Sequence, residues 1–370
     1  MNEVKNMKFT KESLNLEEGL EKEWLIANGI GGFCSSSIIG ANTRKYHGLL
    51  IAPLTPPARR FLVLSKLDES IEVENEKFDL YTNICREHIS GGYNYLESFE
   101  KSEIITYIYK IKDIQIQKNI CMEYGKNTVG VYYKIKNGDK KSKLTLAPIV
   151  NFRDFHQMNT NHYFNIKQEI NKNKVKLIID GNSQTPVYMN LSEGKYIEHI
   201  NNTFENMFYI EEEKRGFYPE ENHNVPGVYE IEIKEKEEKE ISFICSLEEN
   251  IEQKDVRKII QKEEERIKKI IEETKLIEQK ENKTKKEIAK EELIKTYIQA
   301  TDSFIVYREH FGLYTILAGY PWFLDWGRDT LISYEGLLLV TKRFDIAKDI
   351  LKMMIRDIKY GLVPNRIFRI

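Results

Sequence analysis

From Glu23 to about Leu247 the chain is built of short alternating or aliphatic runs separated by turn residues, and that rhythm leaves few folds open. Ile104-Ile105-Thr106-Tyr107-Ile108-Tyr109, Ile114-Gln115-Ile116-Gln117 and Thr128-Val129-Gly130-Val131-Tyr132-Tyr133 repeat with period two, the signature of strands with one buried face. Asn137-Gly138-Asp139 and Asp180-Gly181-Asn182 are turn signals between such runs. Together these segments predict a large antiparallel β-sandwich over 1–247, with Tyr229 to Ile244 as its last hairpin.

The pattern changes abruptly at Glu248, where Lys and Glu dominate through Lys295. Val256, Ile259, Ile260, Ile267, Ile270 and Ile271 recur at spacings of three, four and seven, which makes one apolar stripe on a helix. A charge run alone would suit a disordered tail; the stripe, and the lack of Pro or Gly, favour a helical linker over 248–285 with a break near Asn282. A second helix follows, with Ile288, Leu293, Ile294, Tyr297, Ile298, Phe304 and Ile305 on one face. Thr330–Val340 and Phe344–Ile358 are two more helical patterns, whose wide apolar faces need neighbours to cover them.

Composition narrows the partners. With 370 residues, 41% of them hydrophobic, the chain can bury a sizeable core. The 56 basic and 58 acidic residues leave a net charge of −2, so no global field favours nucleic acid or an anionic membrane, and a neutral ligand fits better. Cys34, Cys85, Cys121 and Cys245 are far apart and form no C-x-x-C pair, which disfavours a zinc site and a dense disulfide framework. The charged N-terminus and the absence of a long apolar run point to a cytoplasmic location.

Gly319-Tyr320-Pro321-Trp322-Phe323-Leu324-Asp325-Trp326-Gly327-Arg328-Asp329-Thr330 concentrates aromatic faces, a guanidinium and two carboxylates in one short stretch. Rings offer platforms to the C–H faces of a pyranose, while Arg and Asp give directed hydrogen bonds to its hydroxyls. Arg328 and Asp329 are therefore candidate ligand contacts, with Trp322 and Trp326 as walls and Tyr320 and Asp325 beside them. The alternative for Asp329 is helix capping, which accounts for neither Arg328 nor the two indoles. Arg153, Asp154 and His156 form a second polar cluster, either a satisfied salt bridge at a strand end or a loop reaching the rim of a pocket. Asn28-Gly29-Ile30-Gly31-Gly32 invites a phosphate-loop reading, but Ser35 to Gly40 beyond it looks like a strand, so a tight turn is favoured. His47 is open between a core histidine bonded to a backbone carbonyl and a site role.

Ala318-Gly319-Tyr320-Pro321-Trp322-Phe323, Trp326 to Ser333 and Gly361-Leu362-Val363-Pro364-Asn365-Arg366 resemble the amylo-α-1,6-glucosidase part of bacterial and archaeal glycogen debranching enzymes. Glu23-Trp24-Leu25, Asn28 to Phe33, Thr43-Arg44-Lys45-Tyr46-His47-Gly48-Leu49-Leu50, Arg153 to His156 and Lys214-Arg215-Gly216 resemble the N-terminal domain that accompanies it. The resemblance implies a glucoamylase-like β-sandwich (a supersandwich), a helical linker and, over 286–370, the first helices of an incomplete (α/α)6 toroid. It implies glycogen or limit dextrin as substrate, no metal or organic cofactor, and Arg328 and Asp329 as grips on a terminal glucose. The family's general acid lies in a Tyr-Asn-x-x-Asp-Ala block after Pro-Asn-Arg, and its base further on. The catalytic pair is thus expected beyond residue 370, Asp329 being the fallback, and the chain reads as the N-terminal portion of a longer enzyme. A non-catalytic glucan-binding protein and a disaccharide phosphorylase of similar architecture remain as alternatives.

Overall fold

A computed structural model describes residues 7–277, 280 and 282–365. Residues 1–6, 278, 279, 281 and 366–370, including the Arg366 of the Pro-Asn-Arg motif, lie outside the described residues.

The alternating runs pair as two large antiparallel sheets. The first has nine strands, in the order Met7–Thr10, Leu96–Lys101, Ile105–Ile111, Ile114–Met122, Thr128–Lys136, Glu238–Ser246, Val187–Leu191, Lys174–Ile179 and Ile166–Asn171. The second has twelve strands around Glu23–Ala27, Phe33–Ser37, Gly48–Thr55, Ala58–Val73 and Ser142–Asp154. Their inner faces close on one core that includes Leu64, Ile71, Leu144 and Tyr229 from the second sheet and Tyr107, Val131, Tyr133 and Phe243 from the first. Each such side chain, once fully buried, contributes about 1.5–3 kcal/mol through loss of apolar surface to water.

Polar bonds fix how the sheets face each other. The Trp24 indole donates to the Tyr107 hydroxyl at 2.7 Å across the sandwich. Glu69 of the second sheet takes a bond from the Tyr133 hydroxyl at 2.6 Å and pairs with Lys118 at 2.5 Å, both from the first. Most buried polar groups in folded proteins are satisfied in this way.

The expected last hairpin does not form. Gly227–Ile233 pairs with Ser142–Asp154 and Lys195–Glu198, whereas Glu238–Ser246 pairs with Thr128–Lys136 and Val187–Leu191. The two consecutive strands therefore lie in different sheets, and Tyr229 meets Phe243 edge-on at 5.9 Å through the core. Alternation states which face is buried but not which edge is paired.

Six helices are described: α1 (Leu16–Glu21), α2 (Ile210–Lys214), α3 (Val256–Thr274), α4 (Lys285–Phe304), α5 (Gly327–Tyr334) and α6 (Phe344–Arg356). Asp255 caps α3 by accepting from the Arg257 amide, and Thr284 with Glu287 forms a capping box on α4. The charge-rich α3 lies on the face of the first sheet turned away from the sandwich core, Val256 and Ile259 packing with Ile104, Cys121, Tyr188 and Ile244. Gly130 permits this approach, since a Cβ there would come within 2.9 Å of Val256. Ile305, expected on the face of α4, instead opens a hairpin, Ile305–Arg308 with Leu313–Ile316. That hairpin, α5, a single π turn over Glu335–Leu339, and α6 share a small core of Ile305, Ile316, Leu338, Ala347 and Ile350. No described helix is long and apolar enough to cross a membrane. Among the described residues the four cysteines are unpaired, Cys34, Cys121 and Cys245 being buried.

Candidate functional site

The Gly319–Thr330 stretch folds into a closed loop. The Phe323 amide donates to the Gly319 carbonyl and the Ala318 amide to the Leu324 carbonyl, both at 2.9 Å, and Leu317 bridges Asp325. The loop ends at the start of α5, where Trp326 occupies the capping position without supplying a side-chain bond. Asn365 supplies it instead: its backbone carbonyl accepts from the Gly327 amide at 2.8 Å and its Oδ1 from the Arg328 amide at 2.9 Å. These bonds satisfy donors that a helix start leaves orphaned. A Cβ on Gly327 would sit 2.3 Å from the Pro364 carbonyl oxygen, so only glycine allows this closeness. The Trp-Gly-Arg-Asp and Val-Pro-Asn motifs, more than thirty residues apart, thus meet at one helix terminus.

Arg328 and Asp329 are both exposed on the first turn of α5. Among the described residues neither side chain has a hydrogen-bond or ion-pair partner, so they do not clamp each other. Asp329 sits inside the helix and not at its cap, which removes the capping alternative. A cleft of about 630 Å³ lies elsewhere, lined by Tyr124, Tyr307, Tyr314 and other residues. Trp326 is half-buried and Trp322 is 36% exposed.

Two expected contacts belong to the scaffold. Asp325 is buried; its oxygens accept from Arg308 Nε at 2.8 Å and Nη2 at 2.7 Å and from the Thr315 hydroxyl at 3.0 Å. Three of its acceptor positions are used and the group is buried, which turns it towards the scaffold. Tyr320 packs between Phe33 at 5.4 Å and Phe304 at 6.2 Å, under the Arg60 guanidinium, and burial pushes its hydroxyl pKa up. Its hydroxyl is buried with no partner among the described residues.

The second cluster divides likewise. Arg153 is buried and holds Glu221, with Nη2 to Oε2 at 2.7 Å and Nε to Oε1, while Nη2 also donates to the Lys45 carbonyl at 2.8 Å. Glu221 further accepts from the Tyr209 hydroxyl at 2.6 Å and the Asn159 amide at 2.8 Å. Burial opposes its charge, but Arg153 and His223 outweigh that and lower its pKa. The ion pair at this strand end is thus Arg153 with Glu221, not with Asp154, whose Oδ1 accepts the His156 amide at 2.9 Å. His156 alone of the three is exposed; partial desolvation lowers its pKa.

His156 leads to the sandwich residues that meet the loop. Its Nδ1 lies 3.2 Å from the Tyr46 hydroxyl, and the Tyr46 ring meets Trp322 edge-on at 6.0 Å. The Arg44 and Arg215 guanidinium groups lie 5.8 and 5.9 Å from the Trp322 ring. Arg44 is held by Glu23 at 2.7 Å; burial raises the Glu23 pKa, but His47 and Arg44 dominate and bring it to about 2. His47 is a core residue whose Nδ1 accepts from the Thr43 amide at 3.0 Å, a backbone donor where a carbonyl was expected. In the Asn28 turn, Oδ1 accepts from the Ile30 and Gly32 amides, with φ of +73° at Gly29 and +94° at Gly31, and a strand follows. Sequence reasoning missed Glu221 and Arg308, and it placed Asn365 in a motif without giving it the helix-start role seen here. It also missed Arg60, for which period two offered a signal, since the residue alternates in step with the buried Ala58 and Leu62.

The chain is thus a two-sheet sandwich followed by a partial helical region, with Trp322 of the 319–330 loop meeting Tyr46 of the sandwich. The sequence model of the glycogen debranching enzyme N-terminal family matches residues 22–240, more than half of the chain, and the chain belongs to that family. The model of amylo-alpha-1,6-glucosidase matches residues 299–369. The glycogen debranching enzyme of Saccharomyces cerevisiae (strain ATCC 204508 / S288c) is 50% identical over 40 residues, 11% of this chain and 3% of that protein. A bacterial glucoamylase in complex with acarbose aligns with 93% of this chain and 49% of its own, at 13% identity and a TM-score of 0.47. The chain therefore spans a small fraction of the yeast protein and about half of the glucoamylase.

Proposed function

We propose that the chain carries the monosaccharide-binding part of a glycogen-debranching amylo-α-1,6-glucosidase. A single α-1,6-linked glucose on glycogen or limit dextrin is gripped by Arg328 and Asp329, with Trp322 and Trp326 as apolar walls. The observation that supports this most is the pair of exposed, unclaimed side chains on the first turn of α5. Charge-assisted bonds to sugar hydroxyls are worth about 1.5–3 kcal/mol each, enough to orient one ring.

The reaction proposed is inverting hydrolysis, in which one carboxylic acid protonates the glycosidic oxygen and a second carboxylate activates water about 6.5–9.5 Å away. Asp325 is unsuited to either task because Arg308 and Thr315 hold its oxygens. Asp329 is a binding group in this reading, and the acid and base belong to carboxylates outside the 319–330 loop. Binding without cleavage is the second reading, supported by the loop itself offering no acid–base pair: Asp325 is engaged by Arg308 and Thr315, and Asp329 is read as a binding group. Calorimetric titration with limit dextrin, together with an assay of released glucose, separates the two. Asp329→Asn is expected to weaken binding by about tenfold or more; unchanged affinity would remove the proposed role.

A further inference from the structure

Arg60 is buried to 1% exposure, yet it stands on a sandwich strand, far in sequence from the candidate sugar loop. Its Nη1 donates to the Pro321 carbonyl at 2.9 Å and its Nη2 to the Phe323 carbonyl at 3.2 Å. Those carbonyls flank Trp322. The guanidinium also lies 5.2 Å from the Tyr320 ring, 5.5 Å from Phe155 and 5.9 Å from Phe33. Burial lowers its pKa, and the negative charge of Asp325 counters that. Withdrawing an arginine from water is costly unless its donors are used, and the two used here both end on the loop.

From this geometry we infer that Arg60 is a positioning residue of the sugar site: it fixes the backbone on both sides of Trp322, so that the sandwich sets where the indole and the following Arg328-Asp329 turn stand. A guanidinium suits the task because its planar fork presents two donors in a fixed geometry, whereas an ammonium is a compact point charge on a flexible stem. Small displacements of binding groups carry large penalties in ligand orientation. The inference rests on the sugar-binding reading above for its consequence, but not for its mechanical part.

The test compares wild type, Arg60→Met, Arg60→Lys and Phe155→Leu, all in the full chain. Hydrogen exchange at the Ala318 and Phe323 amides reads the loop directly, and calorimetry with isomaltose reads the site. Arg60→Met is expected to speed loop exchange with no change in the Gly48–Thr55 strand, and to weaken isomaltose by on the order of tenfold. Arg60→Lys is expected to restore part of both, and Phe155→Leu, which keeps the charge but loosens its cage, to show a smaller effect of the same kind. If Arg60→Met unfolds, the other two variants carry the test alone. Unchanged loop exchange, or a loosened loop with wild-type affinity, overturns the inference. If Asp329→Asn leaves isomaltose binding untouched while Arg60→Met frees the loop, the sugar reading fails and the anchoring stands.

Discussion

The sandwich and the helical region after it each hold a buried arginine–carboxylate pair, Arg153 with Glu221 and Arg308 with Asp325, yet they cover their apolar surface very differently. In the sandwich the inner faces of both sheets close on a single core. On α5 and α6, Ala347 and Ile350 are buried while Ile332 is 75% and Ile355 64% exposed. Stability is therefore concentrated in the sandwich, and the exposed candidate contacts ride on the less enclosed part. Arg60 bridges the two by tying the loop to a strand.

The comparison breaks most sharply at Arg153. Replacing it with Met strands the Glu221 charge in the interior and should cost about 3–5 kcal/mol. Urea unfolding followed by intrinsic fluorescence measures this; a loss below about 1 kcal/mol would mean that the network is not what braces the sandwich.

Acid should probe the sandwich next. Burial lowers the His223 pKa from 6.5 to about 4, with Glu221, Arg153 and Lys66 the charges around it. A base whose folded pKa is depressed stabilises the fold above its unfolded pKa and loses that contribution as pH falls. Stability should thus decline from pH 6.5 to about 4, and further from 4.5 to about 2 as Glu23 is protonated. The urea midpoint against pH should show both stages, and His223→Asn should flatten the first. A midpoint constant between pH 6.5 and 4 would contradict the burial of a neutral imidazole.

The smallest effect belongs to the helical region. Ile332→Gln should change stability by no more than about 0.5 kcal/mol, because the side chain already faces water, while raising solubility. A loss of 2 kcal/mol or so, typical of a buried site, would show that α5 is covered in solution.

Much of this was readable in advance where the cause was local. Strands came from alternation, and α3 and α4 from their aliphatic stripes. Arg328 and Asp329 were singled out because they are adjacent; both are exposed, and neither side chain bonds the other. Asp325 and Tyr320 were misplaced, since nothing in their neighbourhood announces Arg308 or Arg60.

The amino-acid order alone determined the alternating strands of the sandwich and the helical character of α3 and α4, because period acts over a few residues, but not the hairpin that begins at Ile305. Pairing of sheet edges, the separation of Gly227–Ile233 from Glu238–Ser246, the meeting of Asn365 with Gly327 and the grip of Arg60 on Pro321 and Phe323 were decided only by tertiary structure. Those contacts join residues far apart in the chain, and which partner satisfies a buried donor or edge depends on the whole fold closing around it.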